Sequence, residues 1–161
     1  MVKSPALRAP RGRSTGTALV GARRAPIEDF PDDTFERTIP REIELRRGQS
    51  VLVASLIGLY APGAPLPRLK RARPLGLGVF GGRWLEKSRG IVLWAHPNAI
   101  LEKAVTIHEV CHYLRCLYGG DGPGEHDAAF LALVEDAYRT WGIPVDIAKL
   151  VEGQFPEHWR W

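Results

Sequence analysis

The strongest constraint on this chain is a pair of histidines, four residues apart, on a segment with helical periodicity. His108 and His112 occupy the pattern H-E-x-x-H. Apolar residues recur around them at intervals of three and four, at Ile107, Val110, Cys111, Leu114, Leu117 and Tyr118. Each residue of an α-helix turns by about 100°, so positions four apart are only about 40° apart around the axis. The two imidazoles can therefore chelate one metal ion, and Glu109 can reach a metal-activated water without being a ligand.

A catalytic zinc site needs a third protein ligand and keeps one position open for water. His126 is the candidate, because it follows a Gly-rich loop and lies four residues before Phe130. That spacing predicts a place in the first turn of a second helix, on the face toward the first helix. Four carboxylates remain as alternative ligands: Glu125 and Asp127 beside His126, and Glu135 and Asp136 farther along the second helix.

Other polar residues carry weaker signals. His96 ends a predicted strand, where a local hydrogen bond is the commoner role for a histidine. His158 lies in the aromatic C-terminal segment, and the sequence does not decide whether it caps the site. Tyr118 falls on the apolar stripe of the first helix, so Tyr113 is the better candidate for stabilising a developing oxyanion.

The chain has only two cysteines, Cys111 and Cys116, and both fall in the predicted metal helix. Five positions apart on one helix, their side chains point in different directions and cannot readily form a disulfide. We interpret both as small buried apolar residues. A disulfide scaffold and a four-cysteine zinc site within this chain are therefore excluded.

The patterning predicts an α+β fold in which a small antiparallel sheet packs with the metal-binding helix and the helix that follows it. Residues 67–73, 77–84 and 90–94 are short apolar or alternating segments between turn signals, which predicts a three-stranded antiparallel meander. Residues 51–60 can form a helix capped by Ser50, although this β-branched run is equally compatible with a strand.

These patterns divide the chain into four regions. Residues 1–27 carry six basic side chains and no acidic one, and they lack an apolar period. We expect them to form a disordered basic arm, because they cannot bury enough surface to offset the cost of ordering. Residues 28–65 form an N-terminal region with one helix, residues 66–145 the catalytic core, and residues 146–161 a C-terminal tail.

Charge and hydropathy limit the partners. Residues 37–90 carry 11 basic and 3 acidic side chains, and Trp84 lies among them. This suggests that nucleic acid binds to the basic arm and to residues 68–89, because lysine and arginine contacts to phosphate supply most non-specific affinity. The chain has no run of about 18 apolar residues, so we expect no membrane span. A cytoplasmic location is expected, with organelle import of an Arg- and Ser-rich arm as the minor alternative.

The motif region resembles a known family. His108-Glu109-Val110-Cys111-His112, the Gly-rich loop to residue 125 and His126-Asp127-Ala128-Ala129-Phe130 are similar to the SprT/Spartan-like branch of the zincins. The pattern of that branch is H-E-x-x-H, a loop, and H-G-x-x-[FW]. The resemblance covers residues 66–141 and is specific over residues 108–130. Asp127 stands where the family usually has glycine, and the chain has no C-terminal four-cysteine zinc module.

The resemblance implies a minimal zincin-like core with zinc ligands His108, His112 and His126 and the general base Glu109. The expected function is a zinc-dependent metallopeptidase acting on a protein or peptide, including proteins associated with DNA. Small metallohydrolases of phages and actinobacteria share the same core, so the resemblance extends to them. The alternative is a nucleic-acid or assembly-binding protein in which a zinc site is structural and catalysis is absent.

Overall fold

The computed structural model describes residues 42–73, 81–119, 126–153 and 159, which form a mixed α and β structure. The strands are β1 (Glu42–Ile43), β2 (Arg68–Ala72), β3 (Gly82–Leu85) and β4 (Gly90–Trp94). The helices are α1 (Gln49–Tyr60), α2 (Ala99–Leu117), α3 (Ala128–Thr140) and α4 (Val145–Glu152). The predicted basic arm, residues 1–27, lies outside the described residues. The expected α+β class is confirmed.

The sheet has the order β1-β2-β4-β3 and is mixed. β1 pairs with β2 and β3 pairs with β4 in antiparallel fashion, whereas β2 and β4 are parallel. The antiparallel meander predicted from the sequence is therefore wrong. The reason is burial: β4 is the most apolar strand and is almost wholly buried, so it takes the central position that a meander would give to β3. β3, which carries Gly82 and the exposed Arg83, lies at the end of the sheet.

Residues 51–60, which the sequence left open between helix and strand, form the helix α1. It begins one residue before the predicted cap Ser50, because Gly48 adopts a left-handed conformation (φ 87°) and forms the N-cap. Val53, Leu56 and Ile57 are buried, and this i, i+3, i+4 face packs against α2. The helix ends at Tyr60, just before the segment Ala61-Pro62-Gly63, in which Gly63 has a φ of 81°.

α2 and α3 form the centre of the fold. Asn98 caps α2 by accepting the N–H groups of Ile100 and Leu101 at 2.9 and 3.1 Å, and the helix stops before Gly119 (φ 71°). Nearly all residues of α2 from Leu101 to Leu114 are buried, because the helix contacts α1, α3, α4 and the sheet. The sheet's inward face adds Trp84, Ile91 and Leu93 to this core.

One buried carboxylate, on Glu102 in the first turn of α2, joins the helices to the sheet. Its side chain is 1% exposed and pairs with Arg71 of β2 and with Arg46, which precedes α1. Gln49 of α1 donates to the same carboxylate at 2.9 Å. The sequence analysis did not identify this cluster, because its members are brought together from three separate segments.

α4 was not expected from the sequence, which assigned residues 146–161 to a tail. It follows Pro144, packs against α2 and buries Ala148 and Glu152 on one face. Trp159 beyond it is also buried. Among the described residues, no helix is both long and apolar enough to cross a membrane.

Candidate metal centre

The H-E-x-x-H segment lies in the middle of α2, and its polar side chains are buried. His108, Glu109 and His112 are 9%, 6% and 7% exposed. As the spacing predicts, the two imidazoles project together, and their Nε2 atoms are 3.1 Å apart. α2 therefore presents two nitrogen atoms to the same point.

His126 joins this pair from the other side of the loop. Its Nε2 lies 3.3 Å from the Nε2 of His112. His126 precedes α3 by two residues, so the prediction that it lies within the first turn of the helix is wrong. The helix begins later because Asp127 is its N-cap, with Oδ1 accepting the N–H of Phe130 at 2.6 Å.

The carboxylate of Asp127 has two structural partners. Besides capping α3, its Oδ2 pairs with Arg115 on α2. These two contacts of Asp127 fix the start of α3 against α2 and so place the neighbouring His126. These contacts also give Asp127, one of the alternative ligands, a role other than that of a metal ligand.

Phe130 holds the three imidazoles together from below. Its ring stacks on His112 and His126, with centroid distances of 4.4 and 4.7 Å, and meets His108 edge-on at 5.1 Å. Aromatic rings at these distances attract one another and restrict rotation. An aromatic residue four positions after His126 therefore has a direct packing role in the site.

The three histidines meet the requirements of a metal ligand set. Their ligand atoms all lie within 4.8 Å of one another, and among the described residues they form a group that could hold a metal ion. Tetrahedral zinc with Zn–N bonds of about 2.0–2.1 Å separates its nitrogens by about 3.3 Å. The Nε2 separations of 3.1 and 3.3 Å are close to that value.

Electrostatics favours free lone pairs on two of the three rings. Burial, with the charges of His108 and His126, lowers the pKa of His112 to about 3. Partial burial and the charge of His108 lower the pKa of His126 as well. Both rings are therefore neutral at pH 7, which is the form that binds metal.

His108 differs, because a carboxylate lies behind it. Its Nδ1 is 2.9 Å from Oε1 of Glu152 at the end of α4. Burial opposes protonation of His108, but the hydrogen bond and the charge of Glu152 outweigh it and raise the pKa. The sequence analysis missed Glu152. The available signal was a glutamate four residues after Ala148, on the buried face of a short helix.

The side chain of Glu109 extends from α2 toward β3. Burial raises the pKa of Glu109 to about 7, although the charge of His108 and the backbone N–H of Trp84 oppose the shift. The carboxyl group is also close to Gly82, where an added Cβ would lie 2.6 Å from Cγ of Glu109. A glycine at this position of β3 therefore provides the space that Glu109 occupies.

The remaining candidates lie elsewhere. His96 makes the expected local hydrogen bond, accepting the N–H of Asn98 on Nδ1 at 3.0 Å. Tyr113 is 2% exposed and donates its hydroxyl to the carbonyl of Pro65, which places it in the core. Six other residues are not members of the histidine cluster. Tyr118 donates to the carbonyl of Tyr60, Glu135 pairs with Arg139, and Asp136 accepts from Tyr60. Cys111 is buried as expected, whereas Cys116 is only half-buried and accepts from Trp84. Lys70 of the basic segment pairs with Glu42. Glu125 and His158 lie outside the described residues.

We compared the chain with models of protein families, with curated proteins and with solved structures, and none of the three comparisons gave a match.

Proposed function

We propose that this chain is a zinc-dependent metallopeptidase with a minimal zincin-like core. The observation that carries the proposal is the convergence of His108, His112 and His126 next to the buried Glu109 of α2. The Nε2 atom of His112 lies at distances suited to zinc from the Nε2 atoms of the other two histidines. A zinc ion there would supply a Lewis acid that polarises a carbonyl and lowers the pKa of water toward about 7. The histidines would hold the ion, and Phe130 would keep their rings in place.

Glu109 is the proposed general base. It takes a proton from the attacking water and returns it to the amine that leaves. A base works best when its pKa is near the working pH, and burial brings the pKa of Glu109 to about 7. Its hydrogen bond to Trp84 and its contact with the Gly82 position hold the carboxyl group against β3.

β3 offers a means of orienting the substrate. It is the terminal strand of the sheet among the described strands, and Glu109 accepts a backbone N–H from it. An extended peptide that pairs with such a strand is held by main-chain hydrogen bonds. Pairing along β3 would bring a peptide main chain close to Glu109.

The alternative, a binding protein with a structural zinc site, has less support. Structural zinc sites are closed by four protein ligands, whereas three ligand groups converge here among the described residues. A structural site also has no need of Glu109. In the basic segment, Lys70 and Arg71 are neutralised by Glu42 and Glu102, which reduces the charge available for phosphate.

The test has two steps. First, metal content is measured on the purified wild-type chain and on His126→Ala. We expect about one zinc per chain in the wild type and a clear loss in the variant. Absence of zinc from the wild type after reconstitution would remove the metal site from consideration.

Second, hydrolysis of an unfolded protein substrate is compared for the wild type, Glu109→Gln and the surface control Glu44→Gln. Loss of a general base costs about 10²–10⁴-fold in rate. We therefore expect Glu109→Gln to keep its zinc and to lose at least 100-fold in activity, while Glu44→Gln matches the wild type. Full activity of zinc-loaded Glu109→Gln would contradict the assignment.

A further inference from the structure

Glu152 is a buried charged group that the proposed chemistry does not use. It is the last residue of α4, 44 positions after His108, and its side chain is 0% exposed. Oε1 lies 2.9 Å from Nδ1 of His108 and accepts the hydroxyl of Tyr138 at 2.6 Å. α4 thus brings a carboxylate to the rear of the metal helix.

The two nitrogens of His108 face different groups. Nε2 faces His112, and Nδ1 faces Glu152. A neutral imidazole that binds metal through Nε2 must carry its proton on Nδ1, and a carboxylate is the strongest acceptor for that proton. Glu152 is therefore placed to select the tautomer of His108 and to fix the ring plane.

The second oxygen of Glu152 points to the same conclusion. Oε2 is buried and has no hydrogen-bond partner within the described part of the chain. A buried carboxylate oxygen without a donor is unfavourable unless positive charge lies close by. A dication at the three histidines would balance the carboxylates of Glu152 and Glu109, which gives the buried charge of Glu152 a partner.

We propose that Glu152 is a positioning residue of the metal centre, which orients His108 and strengthens it as a ligand, with Tyr138 holding the carboxylate in place. This inference rests on the metal site of the proposed function. It makes α4 part of the centre, although the sequence assigned this segment to a tail.

The experiment measures the affinity of the full chain for Zn²⁺ by competition with a chromophoric chelator. Loss of a carboxylate behind a histidine ligand typically weakens metal binding by about 10–100-fold. We expect that loss in Glu152→Ala and a smaller one in Glu152→Gln, whose amide oxygen still accepts the Nδ1 proton. The control is Ile57→Val, a small core change on α1, which should bind zinc like the wild type.

Tyr138→Phe provides a second variant that keeps the volume of the core. It removes only the hydroxyl that holds Glu152, so we expect zinc binding to weaken by a few-fold. With Co²⁺ as the probe, the visible absorption bands of the bound ion should shift in Glu152→Gln but not in Ile57→Val, because the ligand field depends on His108. A role for Glu152 in packing alone would leave both the affinity and the spectrum unchanged.

The outcomes separate this inference from the proposed function. Wild-type zinc affinity in both Glu152→Gln and Tyr138→Phe would overturn the role of Glu152 and leave the metallopeptidase proposal standing. Weakened zinc binding in these variants, in a zinc-loaded chain that hydrolyses no protein substrate, would support Glu152 and reject the peptidase. A wild-type chain without zinc affinity would overturn both.

Discussion

Gly82 offers the sharpest test of how Glu109 is held. A Cβ added at residue 82 would lie 2.6 Å from Cγ of Glu109, 3.0 Å from its Oε1 and 3.0 Å from the carbonyl oxygen of Val92. Non-bonded carbon atoms are most stable at about 3.5–4.0 Å, so Gly82→Ala forces a movement of about 1 Å. Cγ is near the helix backbone and Val92 belongs to the central strand, so neither neighbour can move freely.

The magnitudes follow from this overlap. Overpacking of this kind costs about 1–3 kcal/mol in the free energy of unfolding. A 1 Å displacement of a catalytic group can cost about 100-fold in rate. We therefore expect Gly82→Ala to lose about 1–3 kcal/mol and about 100-fold in kcat/KM. Its zinc content should be unchanged, because the three atoms nearest to the added Cβ belong to Glu109 and Val92 and not to a histidine.

The assay combines urea unfolding, metal content and peptide hydrolysis, with Gly58→Ala as the matched control. No atom lies within 4 Å of a Cβ at Gly58, which is inside α1. Alanine there should stabilise the chain by about 0.5–1 kcal/mol, because glycine is the poorer helix former. Wild-type stability and wild-type hydrolysis in Gly82→Ala would refute the argument that residue 82 must lack a side chain for Glu109 to fit.

Two further predictions concern the groups around the site. Glu102→Gln leaves two arginines without their carboxylate and should lower the free energy of unfolding by about 2–4 kcal/mol. Burial raises the pKa of Glu102, but Arg71, Arg46 and the His96 N–H outweigh it and lower the pKa overall. The stabilisation from Glu102 is therefore present above about pH 4.5 and is lost as the pH falls through the pKa of the folded state. Urea midpoints measured between pH 7 and 3 should show this loss in the wild type and not in the variant. Asp127→Ala removes the N-cap of α3 and the ion pair with Arg115, so we expect a loss of about 0.5–2 kcal/mol in the free energy of unfolding and weaker zinc binding. Asp127→Ser should recover the cap. A wild-type zinc affinity in Asp127→Ala would show that the contacts of Asp127 do not place His126.

The parts of the site that depend on nearby residues could be predicted from the sequence. The two histidines of α2 point the same way because helix geometry alone places residues four apart on one face. The apolar stripe identified α2 and α3 for the same reason. The position of His126 relative to α3 was harder to predict, since it depends on Asp127 capping the helix and not on the helical period.

The parts that depend on distant pairing could not be predicted. The strand order depends on how deeply β4 is buried relative to β3. The local pattern of residues in a strand does not indicate which strand lies next to it. The contact between His108 and Glu152 spans 44 residues, and the pairing of Arg71 with Glu102 spans 31. Such contacts are set by packing of the whole fold, so the sequence reveals at most that a charged residue falls on a buried face.

The stacking of Phe130 under the imidazoles has a consequence for how a metal ion would enter and leave the proposed site. Small zinc modules are unfolded without their metal, because the ligands have no other source of order. Here the rings of His112 and His126 are ordered by stacking on Phe130. The helix α2, which carries His112, and the helix α3, which follows His126, contribute to an apolar core that extends from α1 to Trp159. The cluster of histidines is thus ordered by folding itself, so an ion bound there, as proposed, would exchange with solution while the chain stays folded.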